Sequence, residues 1–223
     1  VSVRGARACA CLCLACAGLP AAAQTSGSLN LVSEYAVRGI SLGAGRPAVQ
    51  LRIDRDMADG WYAGGFASPV RLDGRGQGEL IVYGGRAGQL PSGLSWDAGI
   101  HRAIFLRDRQ FSYTEFHAGL ALDRASVRLF LAPSYYGDEG TAYLDLNAFH
   151  PLDDRWRMTF HAGMLHAFGG YAGGANKRSD LRLGLAGAFG DYSVEVGWQT
   201  VLHTQPGGPP RARSLSGSAG IRF

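Results

Sequence analysis

The sequence predicts an all-β fold: a single antiparallel transmembrane β-barrel of about 12 strands. Three observations predict it. Apolar and polar residues alternate through many short segments, as in Val49, Leu51 and Ile53 between Gln50, Arg52 and Asp54. The connections between those segments are long and short in strict turn. The last segment alternates to its end and closes on Phe223, an aromatic, as the terminal strand of such a barrel does. A closed barrel is the β-structure that satisfies every backbone polar group inside lipid.

Residues 1–23 read as a cleaved secretory signal peptide. Arg4 and Arg7 form a positive region, residues 8–19 an apolar stretch, and Ala21-Ala22-Ala23 a small-residue cleavage site. The apolar stretch is too short to span a bilayer as a helix. The barrel domain is then 24–223, starting at Gln24. Cys9, Cys11, Cys13 and Cys16 all fall in the leader, so disulfides, thiolate metal sites and cysteine nucleophiles are excluded from the mature chain. Lipidation at Cys16 is disfavoured because Cys13 occupies the place where a lipoprotein signal wants an apolar residue.

Composition fits a barrel. The chain has 22 Lys+Arg and 18 Asp+Glu, and losing Arg4 and Arg7 lowers the net charge from +4 by two. No basic run marks a nucleic-acid footprint. Glycine accounts for 33 of 223 residues, well above the usual share of about 7%. No later segment is long and apolar enough for a membrane helix, whereas a barrel hides its lipid-facing residues at alternate positions.

The strands are expected at about 28–38, 47–57, 61–70, 79–88, 93–102, 112–122, 125–133, 141–150, 155–166, 180–189, 192–200 and 213–223. Leu94, Trp96, Ala98 and Ile100 interleave with polar or small neighbours, as do Tyr192, Val194, Val196 and Trp198. The third and fourth strands carry glycine and aromatics on both faces. Every odd-numbered connection is long and every even-numbered one short, the pattern of short periplasmic turns and longer extracellular loops. Ala58-Asp59-Gly60, Asp123-Arg124 and Gly190-Asp191 have turn chemistry. Both termini should then face the periplasm. An aromatic girdle is expected on the short-turn side from Trp61, Phe149, Trp156, Phe189, Tyr192 and Phe223.

If the apolar set faces lipid, the alternate set lines the lumen. That set is Arg52, Asp54, Asp97, His101, Glu115, His117, Arg128, Asp145, Asn147, Arg157, His161, Arg182 and Glu195. Mixed charges there either select permeating solutes or pair across strands as a polar plug, and the sequence leaves both readings open. Enzyme chemistry lacks a motif: the chain has histidines and serines but no segment like the active site of the twelve-stranded outer-membrane phospholipase. His161 and His166 are five apart and on a strand point to opposite faces, which does not suit a metal. The stretch Phe168-Gly169-Gly170-Tyr171-Ala172-Gly173-Gly174 has no Gly-Lys-Ser/Thr ending and reads as a surface loop. Lys177, Arg178, Arg211 and Arg213 read as solvated loop charges rather than lipopolysaccharide contacts.

The run Ser33-Glu34-Tyr35-Ala36-Val37-Arg38-Gly39-Ile40-Ser41, followed by Pro47-Ala48-Val49-Gln50, resembles the opening signature of the TorF family of porins, S-x-Y-x-x-R-G-I-S and then P-A-x-Q. Gly60-Trp61-Tyr62-Ala63-Gly64, Ser95-Trp96-Asp97-Ala98-Gly99, Thr114-Glu115 and Tyr143-Leu144-Asp145-Leu146 resemble later segments of that family. The sequence differs at His101-Arg102-Ala103-Ile104-Phe105-Leu106-Arg107, where the family has a Tyr/Pro-rich stretch. The resemblance implies an outer-membrane porin without cofactor, and supplies no substrate or binding residues. Arg38-Gly39 is expected at the outer rim, with Glu34 and Arg38 at the pore mouth, Arg38 either guarding it or pairing with Glu34. The function expected is passive diffusion of small hydrophilic solutes. The first alternative is a non-conducting barrel that binds ligands or partners through its loops, and the second, ranked below it, an outer-membrane lipid hydrolase. Expected partners are outer-membrane lipid and lipopolysaccharide, and the barrel-assembly machinery through Phe223.

Overall fold

The computed structural model describes residues 24–72, 74–137, 139–169, 177–202, 212 and 214–223. The leader 1–23 with its four cysteines, most of the Gly-rich stretch, and Arg211 and Arg213 of the last loop lie outside the described residues. Twelve antiparallel strands close into one barrel. They are β1 Gln24–Val32, β2 Ala48–Asp56, β3 Trp61–Leu72, β4 Arg75–Gln89, β5 Ser95–Phe105, β6 Tyr113–Ala121, β7 Ala125–Ala132, β8 Thr141–Pro151, β9 Trp156–Ala167, β10 Lys177–Phe189, β11 Tyr192–Leu202 and β12 Leu215–Arg222. Each pairs with its sequence neighbour, and β1 closes on β12 from Ser28↔Arg222 to Val32↔Ser218. Gly27 and Phe223 extend that seam, each donating its N–H to the other's carbonyl at 2.8 and 3.0 Å.

The period-two alternation decides which face each side chain takes. Leu29, Leu31, Val49, Leu51, Ile53, Val82, Ile100, Phe116, Leu129, Leu183 and Val196 form an exposed apolar outer face. Of the expected girdle, Trp61, Phe189, Tyr192 and Phe223 are exposed near the short-turn end, and Trp156 packs edge-on against Phe189 at 5.6 Å. Phe149 is a correction. It stands opposite Thr159, whose hydroxyl reaches Glu195 across the interior, so its ring takes the inner face, where Arg157 lies over it at 5.5 Å.

Two expectations about the chain path change. The first strand is Gln24–Val32 rather than 28–38. The chain leaves the wall at Ser33 and makes a two-stranded ribbon, Ala36–Val37 against Ile40–Ser41. Arg38 and Gly39 at its tip have φ of 51° and 74°. Two successive left-handed residues make a tight hairpin turn that matches strand twist, so this segment folds back instead of extending β1. The second odd connection is not a long loop either. β3 and β4 run on to Leu72↔Arg75, which shortens the connection to 73–74. Elsewhere the rhythm stands: 33–47, 106–112, 133–140 and the links from Ala167 to Lys177 and from Leu202 to Leu215 join strand ends at one end of the barrel, and 57–60, 90–94, 122–124, 152–155 and 190–191 join them at the other.

The short turns are held locally. Leu152 donates its N–H to the Trp156 carbonyl at 2.8 Å, while the Asp153 carboxylate accepts the N–H groups of Arg155 and Trp156 at 2.7 and 2.8 Å. Those two backbone donors hold the Asp153 carboxyl below its ordinary range. A lowered folded value stabilises the turn above the unfolded pKa and ceases to do so as pH falls through the folded one. Asp153→Ala should therefore lower the urea midpoint of the refolded barrel at neutral pH. The difference should vanish in acid below both values, and an equal loss at both pH values would contradict this account.

Candidate functional site

The inner face changes character from one end of the barrel to the other. Toward the long-loop end it is apolar and aromatic: Val70, Ala103, Phe105, Tyr113, Ala132, Tyr143 and Leu165 are buried there, with Phe130 packed against them. A bore this narrow is filled by its own side chains. The connections complete the filling, because Leu42 from 33–47 and Tyr135 from 133–140 are buried in the same cluster, with Tyr35 and Tyr136 beside them. Tyr135 lies 4.7 Å from both Tyr113 and Tyr136, edge-on to each. Burial pushes the phenols of Tyr135 and Tyr136 upward, so both rings stay neutral at physiological pH.

Into this cluster the ribbon tip inserts a charge. Arg38 donates from both terminal nitrogens to the two oxygens of Glu115, each at 2.8 Å. The Arg38 side chain is 8% exposed and that of Glu115 1%. Such a fork-to-fork pair is the strongest form of ionic hydrogen bond. The guanidinium also lies 4.1 Å from the Tyr143 ring centroid, 5.1 Å from Tyr135 and 5.3 Å from Phe130, a desolvated aromatic cage. His101 Nε2 approaches Glu115 at 3.2 Å. Of the two expectations for Arg38, the pairing with Glu34 is not met, since its partner is Glu115. Glu34 is itself buried and accepts the Ser41 hydroxyl, which steadies the ribbon from within. Gly39 makes the approach feasible, since a side chain there would collide with Val201.

Below the cluster lies a belt of paired charges. Arg128 meets Asp97 at 3.1 Å, and His117 reaches the same carboxylate at 3.1 Å while its Nε2 also lies 2.9 Å from the Tyr62 hydroxyl. His161 stands between acids, with Nε2 at 2.8 Å from Asp180 and Nδ1 at 3.2 Å from Asp145 and 3.0 Å from Asn147. The Tyr143 hydroxyl donates to Asp180 at 3.2 Å, tying this belt to the cage above. Nearer the short turns, Arg52 pairs with Asp54 at 2.9 Å and Arg182 with Glu195 at 3.0 Å. Exposure follows the axis: Glu115 is sealed, whereas Arg52 is 45% exposed and Arg182 36%. The inner space is thus wet at the short-turn end and closed at the other.

All thirteen sequence-derived lumen candidates occupy inner-face register positions. Sequence reasoning missed Asp180, Tyr62 and Tyr143, together with Tyr83, whose hydroxyl donates to Asp54, and the buried Glu79. Asp180 was readable, because it is two residues before Arg182 on one strand. The tyrosines were not, since an aromatic on a strand fits either face until register is known. Among the described residues, no serine hydroxyl hydrogen-bonds a histidine ring; the partners are carboxylates, tyrosines and Asn147.

A family model described as a bacterial protein of unknown function (Gcw_chp) matches residues 17–204. No curated protein matches the chain. Among solved structures it is similar to the NanC porin, at 10% identity over 90% of this chain and 99% of that one, with a TM-score of 0.61. It is also similar to the KdgM porin, at 12% identity over 89% of this chain and 98% of that one, with a TM-score of 0.56. A structure of KdgM with disordered oligogalacturonate aligns at 10% identity over 91% and 98%, with a TM-score of 0.52. At such identities the likeness is one of fold.

The Arg38–Glu115 pair gives a quantitative expectation. Removing one partner of a buried ion pair strands the other charge, at a cost of about 3–5 kcal/mol. Arg38→Ala and Glu115→Ala should each destabilise the barrel, by less than that sum when combined. A double-mutant cycle by urea unfolding checks this, and additive losses would show that the pair is not coupled.

Proposed function

The chain belongs to the Gcw_chp family, described as of unknown function, and from its closed twelve-stranded barrel we propose a porin-like role in the bacterial outer membrane. The channel would pass small hydrophilic solutes by diffusion, with its outer mouth shut in the conformation described. The observation that carries this reading is the inner wall: matched charges, wet from the short-turn end and stopped by one inserted ribbon. The resemblance to TorF porins and the fold shared with NanC and KdgM support it. Carboxylates stand beside Arg52, Arg128 and Arg182, which suits small neutral or zwitterionic solutes better than a long polyanion such as the oligogalacturonate of the KdgM complex. In this reading the chain performs no chemistry, the histidines serve as structural partners of acids, and the exposed Phe223 is the handle for the barrel-assembly machinery.

The plug also favours a second reading, a sealed barrel that acts through its outer loops. Planar-bilayer recording separates the two. The wild-type protein should show rare, brief openings, and Arg38→Ala should raise the open probability. In the opened variant, Arg128→Gln should shift the reversal potential in a salt gradient toward cation preference, because Asp97 loses its counter-charge. A correctly folded Arg38→Ala barrel that stays silent would discard the channel in favour of the sealed barrel.

A further inference from the structure

On the outward face, β2 and β3 part before either strand ends. Their pairing runs from Asp56↔Tyr62 to Leu51↔Ala67 and stops. β2 nevertheless continues to Ala48 against β1, and β3 to Leu72 against β4. Pro69 stands in register with Val49 and has no N–H for a ladder bond, which is why an edge opens there. A long hydrogen bond of 3.5 Å, from Gln50 Nε2 to Ser68 Oγ, crosses the gap.

The parted strands leave an apolar groove of about 500 Å³ on the face turned away from the lumen. Val49, Leu51, Leu80 and Leu106 wall it, and the small residues Ala67 and Gly78 floor it. Toward the long-loop end it shares Pro69 and Gln77 with a second cavity of about 320 Å³, lined by Arg46 and Arg71. The Arg71 guanidinium bends to the Gly74 carbonyl at 3.3 Å, and that of Arg107 to Gly76 at 3.3 Å. No carboxylate among the described residues forms an ion pair with Arg46, Arg71 or Arg107. Arg102 adds a level mark. It is exposed on the outward face of β5, opposite Val82, and an arginine there is tolerated where it reaches the headgroups.

We propose that this seam is a binding site for a phosphate-bearing lipid of the outer leaflet. One alkyl chain lies in the groove, between Val49 and Leu106 and over Ala67. The phosphate sits between Arg46 and Arg71, whose guanidinium groups match its geometry and charge. The proposal rests on the membrane placement above but not on conductance, so a silent barrel leaves it standing.

Native mass spectrometry of the detergent-solubilised full chain tests it, with phosphatidic acid as the probe and diacylglycerol of the same chains as the phosphate-free control. Wild type should retain phosphatidic acid and not diacylglycerol. The double variant Arg46→Gln/Arg71→Gln should lose the headgroup contacts, and Ala67→Trp should fill the chain site. Each should weaken retention by about tenfold or more, as expected for lost charge-assisted bonds or a blocked groove. Heat-modifiable gel mobility verifies that each variant is folded, and Leu106→Trp replaces Ala67→Trp should that barrel fail to form. Equal retention by the folded variants would overturn the site. So would diacylglycerol binding as well as phosphatidic acid, or inorganic phosphate displacing the lipid completely.

Discussion

A sheet that closes on itself has no free edge, and everything else in this molecule follows from how that closure is met. The pairing of β1 with β12 leaves each wall residue only two destinations, outward or inward. Outward positions can be apolar at no cost if lipid surrounds them. Inward positions take the ion-paired side chains of the wall, within a bore that twelve strands keep narrow. Charges crowded there must pair, because an unpaired buried charge costs several kcal/mol. The belt formed by Asp97, Arg128, His117, His161, Asp145 and Asp180 is the outcome of that constraint.

The same constraint explains why the plug is ionic at its tip. An apolar ribbon on Phe105, Tyr113 and Tyr143 would seal the mouth more firmly than an arginine, since hydrophobic replacements of buried ion pairs are often neutral or stabilising. Arg38 instead makes the closure conditional. Its bond to Glu115 is strong only while both groups are desolvated, and water admitted to the site weakens it at once. A seal of this kind suits a mouth that opens.

Much of the fold was legible in the sequence, and the limits were physical. Strict alternation in segments such as Val49–Asp54 and Tyr192–Gln199 gives strand identity and face, which suffices to place Arg52, Asp54 and Glu195 inward. It cannot say where a strand yields to an inward fold, because Tyr35, Val37 and Leu42 look as apolar in a plug as in a wall. The Arg38-Gly39 corner was visible as a corner, yet only the third dimension brings Glu115, 77 residues away, to meet it. Glycine on both faces of β3 and β4 hid their extension, since an alternation needs contrast to be read.

How much of the plug can move is set by its backbone partners. Leu42 accepts the N–H of Arg71 at 2.6 Å, so this residue supplies part of the pairing that β2 does not give the extended β3. Withdrawing Leu42 would leave that donor unpaired beside the apolar seam, at a cost comparable to a lost buried hydrogen bond. The tip is held differently. The Gly39 carbonyl takes the N–H of Ala212, at 2.9 Å, from the connection before β12, and Arg38 is held by side-chain contacts. Opening should therefore be confined to the tip, residues 37–40. Ser41 is tied to Glu34 and Gly45, and Leu42 and Gly43 donate to the Tyr35 carbonyl, so that 41–47 stays as wall. A lipid seated against Arg71 would reinforce the fixed half, which couples the outer leaflet to the part of the plug that does not move.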